Sequence, residues 1–191
     1  MSDPVTVLEY WLETIGPKGW YEVNPEVDAQ ITDQFGALWQ AALDGGLEHW
    51  VNGATGCLAY LIVTDQFPRN MFRGQARAFA TDPLARDAAR HALAQNWDQD
   101  APTPARQFFF LPFEHSEDLT DQALAVDCFQ TRMDSAENAL HARAHQAIIQ
   151  RFGRFPFRNV ALGRASTPEE EAFMAEGGYG AIVRALQQDQ V

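Results

Sequence analysis

The chain of 191 residues is poor in lysine and cysteine, and it lacks a long hydrophobic run. Lys18 is the only lysine, and the net charge of −12 argues against nucleic acid as a partner. The longest apolar stretch, Cys57–Val63, is far shorter than the ~18 residues that cross a membrane. There is no glycine-rich phosphate loop and no recognisable nucleophile turn. The sequence therefore offers no recognisable motif for cradling a phosphate or for presenting a nucleophile.

The two cysteines, Cys57 and Cys128, lie in apolar helical runs and do not have the spacing of metal ligands. They are therefore expected to be buried free thiols in a reducing compartment. The first residues, Met1–Pro4, have no basic start and no apolar region of the kind that signal peptides carry. The sequence predicts a cytoplasmic protein with no cofactor, no bound metal and no membrane partner.

Capping residues followed by proline mark the helix starts. They are Asp3-Pro4, Asn24-Pro25, Asp82-Pro83 and Thr167-Pro168, with Thr103-Pro104 as a fifth candidate; Glu170 completes a capping box with Thr167. Apolar periodicity predicts helices over Pro4–Ile15, Pro25–Leu43, Ala54–Phe67, Pro83–Asn96, Ser116–Met133, Ala136–Phe152, Pro168–Glu176 and Tyr179–Gln188. Phe108–Phe113 is expected to be a buried turn or short helix, because the chain offers it no partner strand. The predicted class is all-α, in a single domain covering residues 1–191.

The tetrapeptide Thr-Asp-Gln-Phe occurs at Thr32–Phe35 and again at Thr64–Phe67, a step of 64 − 32 = 32 residues. That step is close to the roughly 34-residue period of tetratricopeptide repeats, although the signature residues of that class do not recur. Short loops also favour antiparallel neighbours. The helix lengths fit an array of antiparallel helix pairs with about 8–9 helices.

Two segments of similar sequence, Ile62–Arg73 and Ile148–Asn159, each place arginine and asparagine after a Phe-Pro pair. A residue before proline is driven out of the α region, so each helix should end near its Phe, at Phe67 and Phe155. Arginine beyond a helix end either braces unpaired carbonyls or binds an anion. If the two segments face one another, they line one pocket with Asp65, Arg69, Asn70, Arg73, Arg154, Arg158 and Asn159. The alternative is that both segments only connect loops to helix ends.

Acidic residues crowd the start of the helix predicted at Ser116, which is the expected N-cap. Glu117 and Asp118 fit ordinary helix-start chemistry, since the helix dipole favours acids there. His115 lies three residues before Asp118, and a carboxylate beside a histidine suits general acid–base work. The alternative for His115 is a hydrogen-bonded structural role.

A second histidine pair, His141 and His145, lies four residues apart with Glu137 one turn earlier. This is the spacing of metal ligands, but the sequence offers no further ligand. Glu137 and His141 are expected on a solvated face. His145 precedes Ile148-Ile149 on the apolar side and is expected to be inside.

These motifs resemble one family in order and over nearly the whole chain. The matching stretches are Asp65–Asn70, Leu111–Phe113 with His115–Asp118, His145 with Ile148-Ile149, Arg151–Pro156 with Arg158-Asn159, Leu162–Arg164 and Ser166–Glu170. The family is the domain of unknown function 924, found mainly in bacteria. The resemblance implies an all-helical, tetratricopeptide-repeat-like superhelix and a cytoplasmic protein, and it implies no reaction. This chain departs at Phe157, where the family usually has His, and at Glu114, where Met is common.

Three hypotheses for function follow. The first is a binding module in which Arg69, Arg73, Arg154 and Arg158 hold an anionic small molecule or peptide, with Asp65, Asn70, His115 and Asn159 lining the pocket. The second is a hydrolase, metal-assisted or not, with His115 or His145 as base and Asp65, Glu117 or Asp118 as orienting group or ligand. The third is a buried polar lock with no ligand. Exposed aromatic side chains would also support a homodimer.

Overall fold

A computed structural model of the protein describes residues 3–188. The chain is all-helical as predicted, with 75% of it in helices and no strand in the described range. Residues 3–188 contain nine helices when helical segments that follow one another without a gap are counted together, in agreement with the predicted number. The arrangement as a tetratricopeptide-like superhelix stays a prediction.

The helices are numbered in chain order. Two of them contain a π-helical turn: α1 comprises Pro4–Leu8, Glu9–Ile15 and Gly16–Gly19, and α3 comprises Ala54–Leu61, Ile62–Gln66 and Phe67–Met71. The others are α2 (Pro25–Leu43), α4 (Asp82–Ala94), α5 (Leu111–Glu114), α6 (Leu119–Thr131), α7 (Ala136–Phe152), α8 (Pro168–Ala175) and α9 (Gly178–Gln188). Short 3₁₀ turns lie at Glu48–Asn52, Ala76–Phe79, Trp97–Asp100, Ala105–Phe109 and Pro156–Arg158.

The chain forms two compact units, the first ending at Pro112 and the second beginning at Phe113. The prediction that the chain forms one domain stays a prediction. None of the helices between residues 3 and 188 is long and apolar enough to cross a membrane.

Aromatic side chains fill the core of the first unit. Phe67 of α3 stacks on Phe35 of α2 with ring centroids 4.7 Å apart, and it meets the edge of Trp11 of α1 at 5.6 Å. Trp11 also contacts Phe108, which lies in the turn Ala105–Phe109. The aromatic run from Phe108 is therefore the buried turn and short helix that its sequence predicts.

The prediction that α3 ends near Phe67 is wrong, because the helix continues through Pro68 to Met71. The π-helical turn before it explains how. Phe67 N–H donates to the carbonyl of Ile62, five residues earlier, so the ladder changes register just before the proline. Pro68 then occupies an early position of the new segment, where its missing N–H costs little.

Most predicted helix starts are confirmed. Asp3, Asn24 and Thr167 each accept a backbone N–H at the start of a helix, and Thr167 forms the predicted capping box with Glu170. The prediction for Asp82 is wrong: it is the first residue of α4, preceded by Thr81, and its carboxylate faces an arginine instead.

The second unit is built on α7, against which α6 and α9 pack. Its apolar core contains Ile148, Ile149, Phe155 and Phe173. The prediction that Ser116 caps α6 is wrong. Asp118 has extended backbone angles and accepts the N–H groups of residues 120 and 121, at 2.8 and 3.1 Å.

Candidate acid–base site

The first predicted arginine, Arg69, lies between two buried aspartates of its own unit. Its Nη1 lies 3.3 Å from Asp65 Oδ1 and its Nη2 lies 3.1 Å from Asp82 Oδ1. The aspartate side chains are 1% and 8% exposed, whereas that of Arg69 is 21% exposed. Burial lowers the pKa of Arg69, but the two carboxylates outweigh it and hold that pKa above its ordinary value. The cation neutralises a pair of like charges that burial would otherwise make costly.

Arg73 and Asn70 share a different carboxylate, that of Asp28 on α2. Arg73 binds it with Nε at 2.5 Å and Nη2 at 2.9 Å, and Asn70 Nδ2 donates to Oδ1 at 2.8 Å. The predicted exit residues of α3 therefore connect α3 to α2.

The second unit repeats this pattern with Arg154 and Asn159 around Glu170. Arg154 binds both oxygens of Glu170 at 2.6 and 2.8 Å, and Asn159 Nδ2 donates to Oε2 at 3.2 Å. Glu170 also accepts the Thr167 N–H. The hydrogen bonds from Arg154 and Thr167 lower the pKa of Glu170 to about 2, despite burial.

Glu117, a predicted catalytic candidate, is also bound within its unit. It accepts two hydrogen bonds from Arg164, at 2.7 and 2.9 Å, and the N–H of Phe155 at 2.8 Å. The guanidinium of Arg158 lies over the Phe155 ring, 4.6 Å from its centroid. Arg69, Asn70 and Arg73 thus belong to the first unit, and Arg154, Arg158 and Asn159 to the second; a single pocket formed by all of them stays a prediction.

A histidine–carboxylate pair stands out in the second unit. His145 Nδ1 lies 2.9 Å from Glu114 Oε1 and 3.0 Å from the backbone carbonyl of His141. A carbonyl oxygen only accepts, so in the neutral imidazole this contact calls for the proton on Nδ1, which leaves Nε2 with its lone pair. The side chain of Glu114 is 6% exposed and that of His145 is 15% exposed, so the imidazole is the more accessible of the two groups.

The backbone that carries Glu114 is held by a buried glutamine. Gln122 of α6, which is 0% exposed, donates from Nε2 to the carbonyls of Glu114 at 2.6 Å and Ser116 at 2.7 Å. Ser116 in turn donates to Asp121 at 2.7 Å. The segment after α5 is therefore fixed against the start of α6, and the carboxylate has a defined place beside His145.

Tyr179 of α9 completes the cluster. Its ring lies 4.8 Å from that of His145, and its hydroxyl hydrogen-bonds His141 Nδ1. Burial raises the pKa of Tyr179 above its ordinary value, and the negative charge of Glu114 raises it further. The phenol therefore keeps its proton beside the two histidines.

The remaining candidates from the histidine motifs are His115, Asp118 and Glu137. His115 is half-buried in the segment between α5 and α6, and Asp118 serves as the cap of α6. Glu137 is exposed as expected. Among residues 3–188, no group of three or more histidine, cysteine or carboxylate side chains is placed to hold a metal ion.

The sequence does not identify Glu114 and Tyr179 as partners of His145. Their separations from His145, 31 and 34 residues, leave no local pattern that would connect them. The one available signal was Glu114 itself, an acid at an otherwise apolar position just before the helix start.

A cleft of about 540 Å³ lies in the first unit, apart from these residues. Its lining residues include Leu38, Leu47, Trp50 and three glycines, together with Asp3 and His49, and no predicted site residue is among them. Asp3 accepts the Thr6 N–H as the cap of α1, and His49 is exposed. The carboxylate–histidine contact at His145 is therefore the stronger candidate.

The fold and this cluster define an all-helical protein with a carboxylate–histidine pair and a tyrosine in its second unit. The chain belongs to the bacterial family described as "Bacterial protein of unknown function (DUF924)", which matches residues 7–178. It is similar to the solved structure of a protein of unknown function from Agrobacterium tumefaciens, with 40% identity and a TM-score of 0.87 over 91% of this chain and 97% of that one. No curated protein matches.

Proposed function

We propose that the second unit carries a general-base site in which His145 activates water to hydrolyse a small carboxylic ester or amide. The observation that carries this proposal is the contact of His145 Nδ1 with two acceptors, Glu114 and the His141 carbonyl. This contact favours the neutral tautomer whose Nε2 accepts a proton, and the carboxylate lies where it stabilises the imidazolium that forms.

The reaction needs only groups of this unit and water. Nε2 of His145 takes a proton from water while the oxygen attacks the acyl carbonyl carbon. The imidazolium then returns that proton to the departing alcohol or amine as the acyl bond breaks. Tyr179 borders the imidazole ring and supplies an apolar face that limits the access of bulk water.

The charge of the cluster favours an uncharged substrate. Glu114 is close enough to raise the pKa of Tyr179, so its negative charge also repels a phosphate ester at this position. The metal-assisted form of hydrolysis has no support from the placement of ligands in the described residues. An ester or amide is therefore the class that the geometry favours.

For the arginines we propose a structural role, the third of the hypotheses raised by the sequence. Asp28 binds Arg73 and Glu170 binds Arg154, in each case through two guanidinium nitrogens, and Arg69 neutralises two buried aspartates. An anionic ligand would have to displace these carboxylates, which are already in place at hydrogen-bond distance. Such pairs hold helices and loops together without a ligand.

The test is hydrolysis of p-nitrophenyl acetate compared with p-nitrophenyl phosphate. His145→Gln is expected to lower kcat/KM for the acetate by about 10²–10⁴-fold, the usual contribution of a positioned base. His49→Gln, which changes an exposed histidine of the first unit, is the matched control for the background reactivity of surface imidazoles. Equal rates for the two variants would refute the proposal, as would a preference of the wild type for the phosphate.

A further inference from the structure

The ion pair between Glu117 and Arg164 holds the backbone of a single residue at both of its polar groups. Glu117 Oε1 accepts the Phe155 N–H at 2.8 Å, and Arg164 Nη2 donates to the Phe155 carbonyl at 3.1 Å. Two further bonds of 2.7 and 2.9 Å join the guanidinium to the carboxylate. The three residues form a closed ring of hydrogen bonds, called here the Phe155 clamp.

Phe155 needs such partners because it lies outside the helices. It follows the end of α7 at Gly153, whose φ of +68° turns the chain, and its own backbone is extended at φ −89° and ψ 109°. Its N–H therefore has no place in a helical ladder, and its side chain is fully buried. A buried backbone N–H without an acceptor costs free energy, and Glu117 supplies that acceptor.

The clamped residue borders the candidate base. The Phe155 ring meets the ring of His145 edge-on, with centroids 5.5 Å apart and planes at 83°. Tyr179 approaches His145 at 4.8 Å. The position of Phe155 thus determines part of the wall around the imidazole, and the clamp determines the position of Phe155.

The clamp is ionic at neutral pH. Burial acts to raise the pKa of Glu117, but the hydrogen bonds from Arg164 and from the Phe155 N–H outweigh burial and hold that pKa below its ordinary value. A charged carboxylate and a guanidinium in two-point contact fix direction as well as distance.

We propose that Glu117 and Arg164 are positioning residues for His145: by clamping Phe155 they close one wall of the site and control how reagents reach the imidazole. The effect of this positioning on hydrolysis rests on the proposed function. The accessibility of His145 to a reagent can be measured without any substrate, so the two proposals can fail separately.

The experiment compares the rate at which diethyl pyrocarbonate modifies His145 in the wild type and in two variants, resolved residue by residue by mass spectrometry. Glu117→Gln presents an amide to Arg164 in place of one carboxylate oxygen. Arg164→Lys keeps the charge but cannot span Glu117 and the Phe155 carbonyl together. Each variant is expected to raise the modification rate at His145 about fivefold, because the loss of one hydrogen bond increases by about that factor the fraction of molecules in which the Phe155 wall is open.

Two controls separate positioning from a general loss of stability. Exposed His49 in the same molecule is the internal reference, and its rate is expected to stay constant. Glu169→Gln removes the exposed Arg151–Glu169 ion pair of the same unit and is expected to leave the His145 rate unchanged. An unchanged rate at His145 in both clamp variants would overturn the proposal, and so would an equal rise in Glu169→Gln.

Hydrolysis of p-nitrophenyl acetate provides the second readout. If the proposed function holds, Glu117→Gln lowers kcat/KM in the same preparation in which His145 becomes more reactive. If His145→Gln retains wild-type hydrolysis, the proposed function fails, and the modification rates still decide whether the clamp positions the wall of His145.

Discussion

Arg69→Ala provides a direct measure of how much of the first unit depends on its buried ion pairs. The substitution leaves Asp65 and Asp82 buried without their cation, with side chains 1% and 8% exposed. Removing one partner of a buried pair costs about 3–5 kcal/mol, and the partial exposure of Arg69 places the expected loss at about 3 kcal/mol. For a chain of this size that loss corresponds to a fall in Tm of roughly 6–12 °C.

The matched control is Arg73→Ala, at a position four residues after Arg69 whose side chain is 38% exposed. Its pair with Asp28 is a surface ion pair, for which about 1 kcal/mol or less is expected. Urea denaturation followed by circular dichroism gives both free energies of unfolding. If Arg69→Ala costs no more than Arg73→Ala, the structural role proposed for Arg69 is wrong and an anion-binding role becomes the better explanation.

Three further predictions concern acid stability, capping and thiol reactivity. The pKa of Glu170 lies at about 2 in the folded chain, against an ordinary 4.5, so the stabilising contribution of this carboxylate is complete above about pH 5 and is lost as pH falls toward 2. The urea concentration at the midpoint of unfolding should therefore fall over that window, and it should fall less in Glu170→Gln. Thr167→Ala removes the capping box of α8 and should lower the free energy of unfolding by about 0.5–2 kcal/mol in the same assay. Burial raises the pKa of the Cys57 thiol to about 12, so iodoacetamide at pH 8 should label Cys57 only after unfolding in urea; rapid labelling of the folded protein would contradict its burial.

Local signals in the sequence account for the helices. The bounds of α2 and α7 agree with their prediction at both ends, because Asn24-Pro25 and Gly153 mark a start and an end that need no tertiary context. The predicted end of α3 at Phe67 is wrong because a π-helical turn over Ile62–Gln66 shifts the hydrogen-bond register before Pro68, and a proline in the sequence does not reveal such a turn.

The chemistry of the arginines and histidines could be predicted only in part. Sequence patterns identified Arg69, Arg154 and His145 as residues that need polar partners. The partners come from elsewhere in the chain: Asp82 is 13 residues from Arg69, Glu170 is 16 from Arg154, and Glu114 is 31 from His145. A single sequence has no periodicity that links such positions, so whether an arginine faces a ligand or a carboxylate is decided by the fold.

The role of His145 as base depends on which of its ring nitrogens carries the proton. Long-range ¹⁵N–¹H correlation spectra of the histidine side chains report this directly. We expect the Nδ1–H tautomer for neutral His145, held by Glu114 and the His141 carbonyl, with Nε2 unprotonated. A neutral His145 with its proton on Nε2 would contradict it, because that nitrogen could not then accept a proton from water.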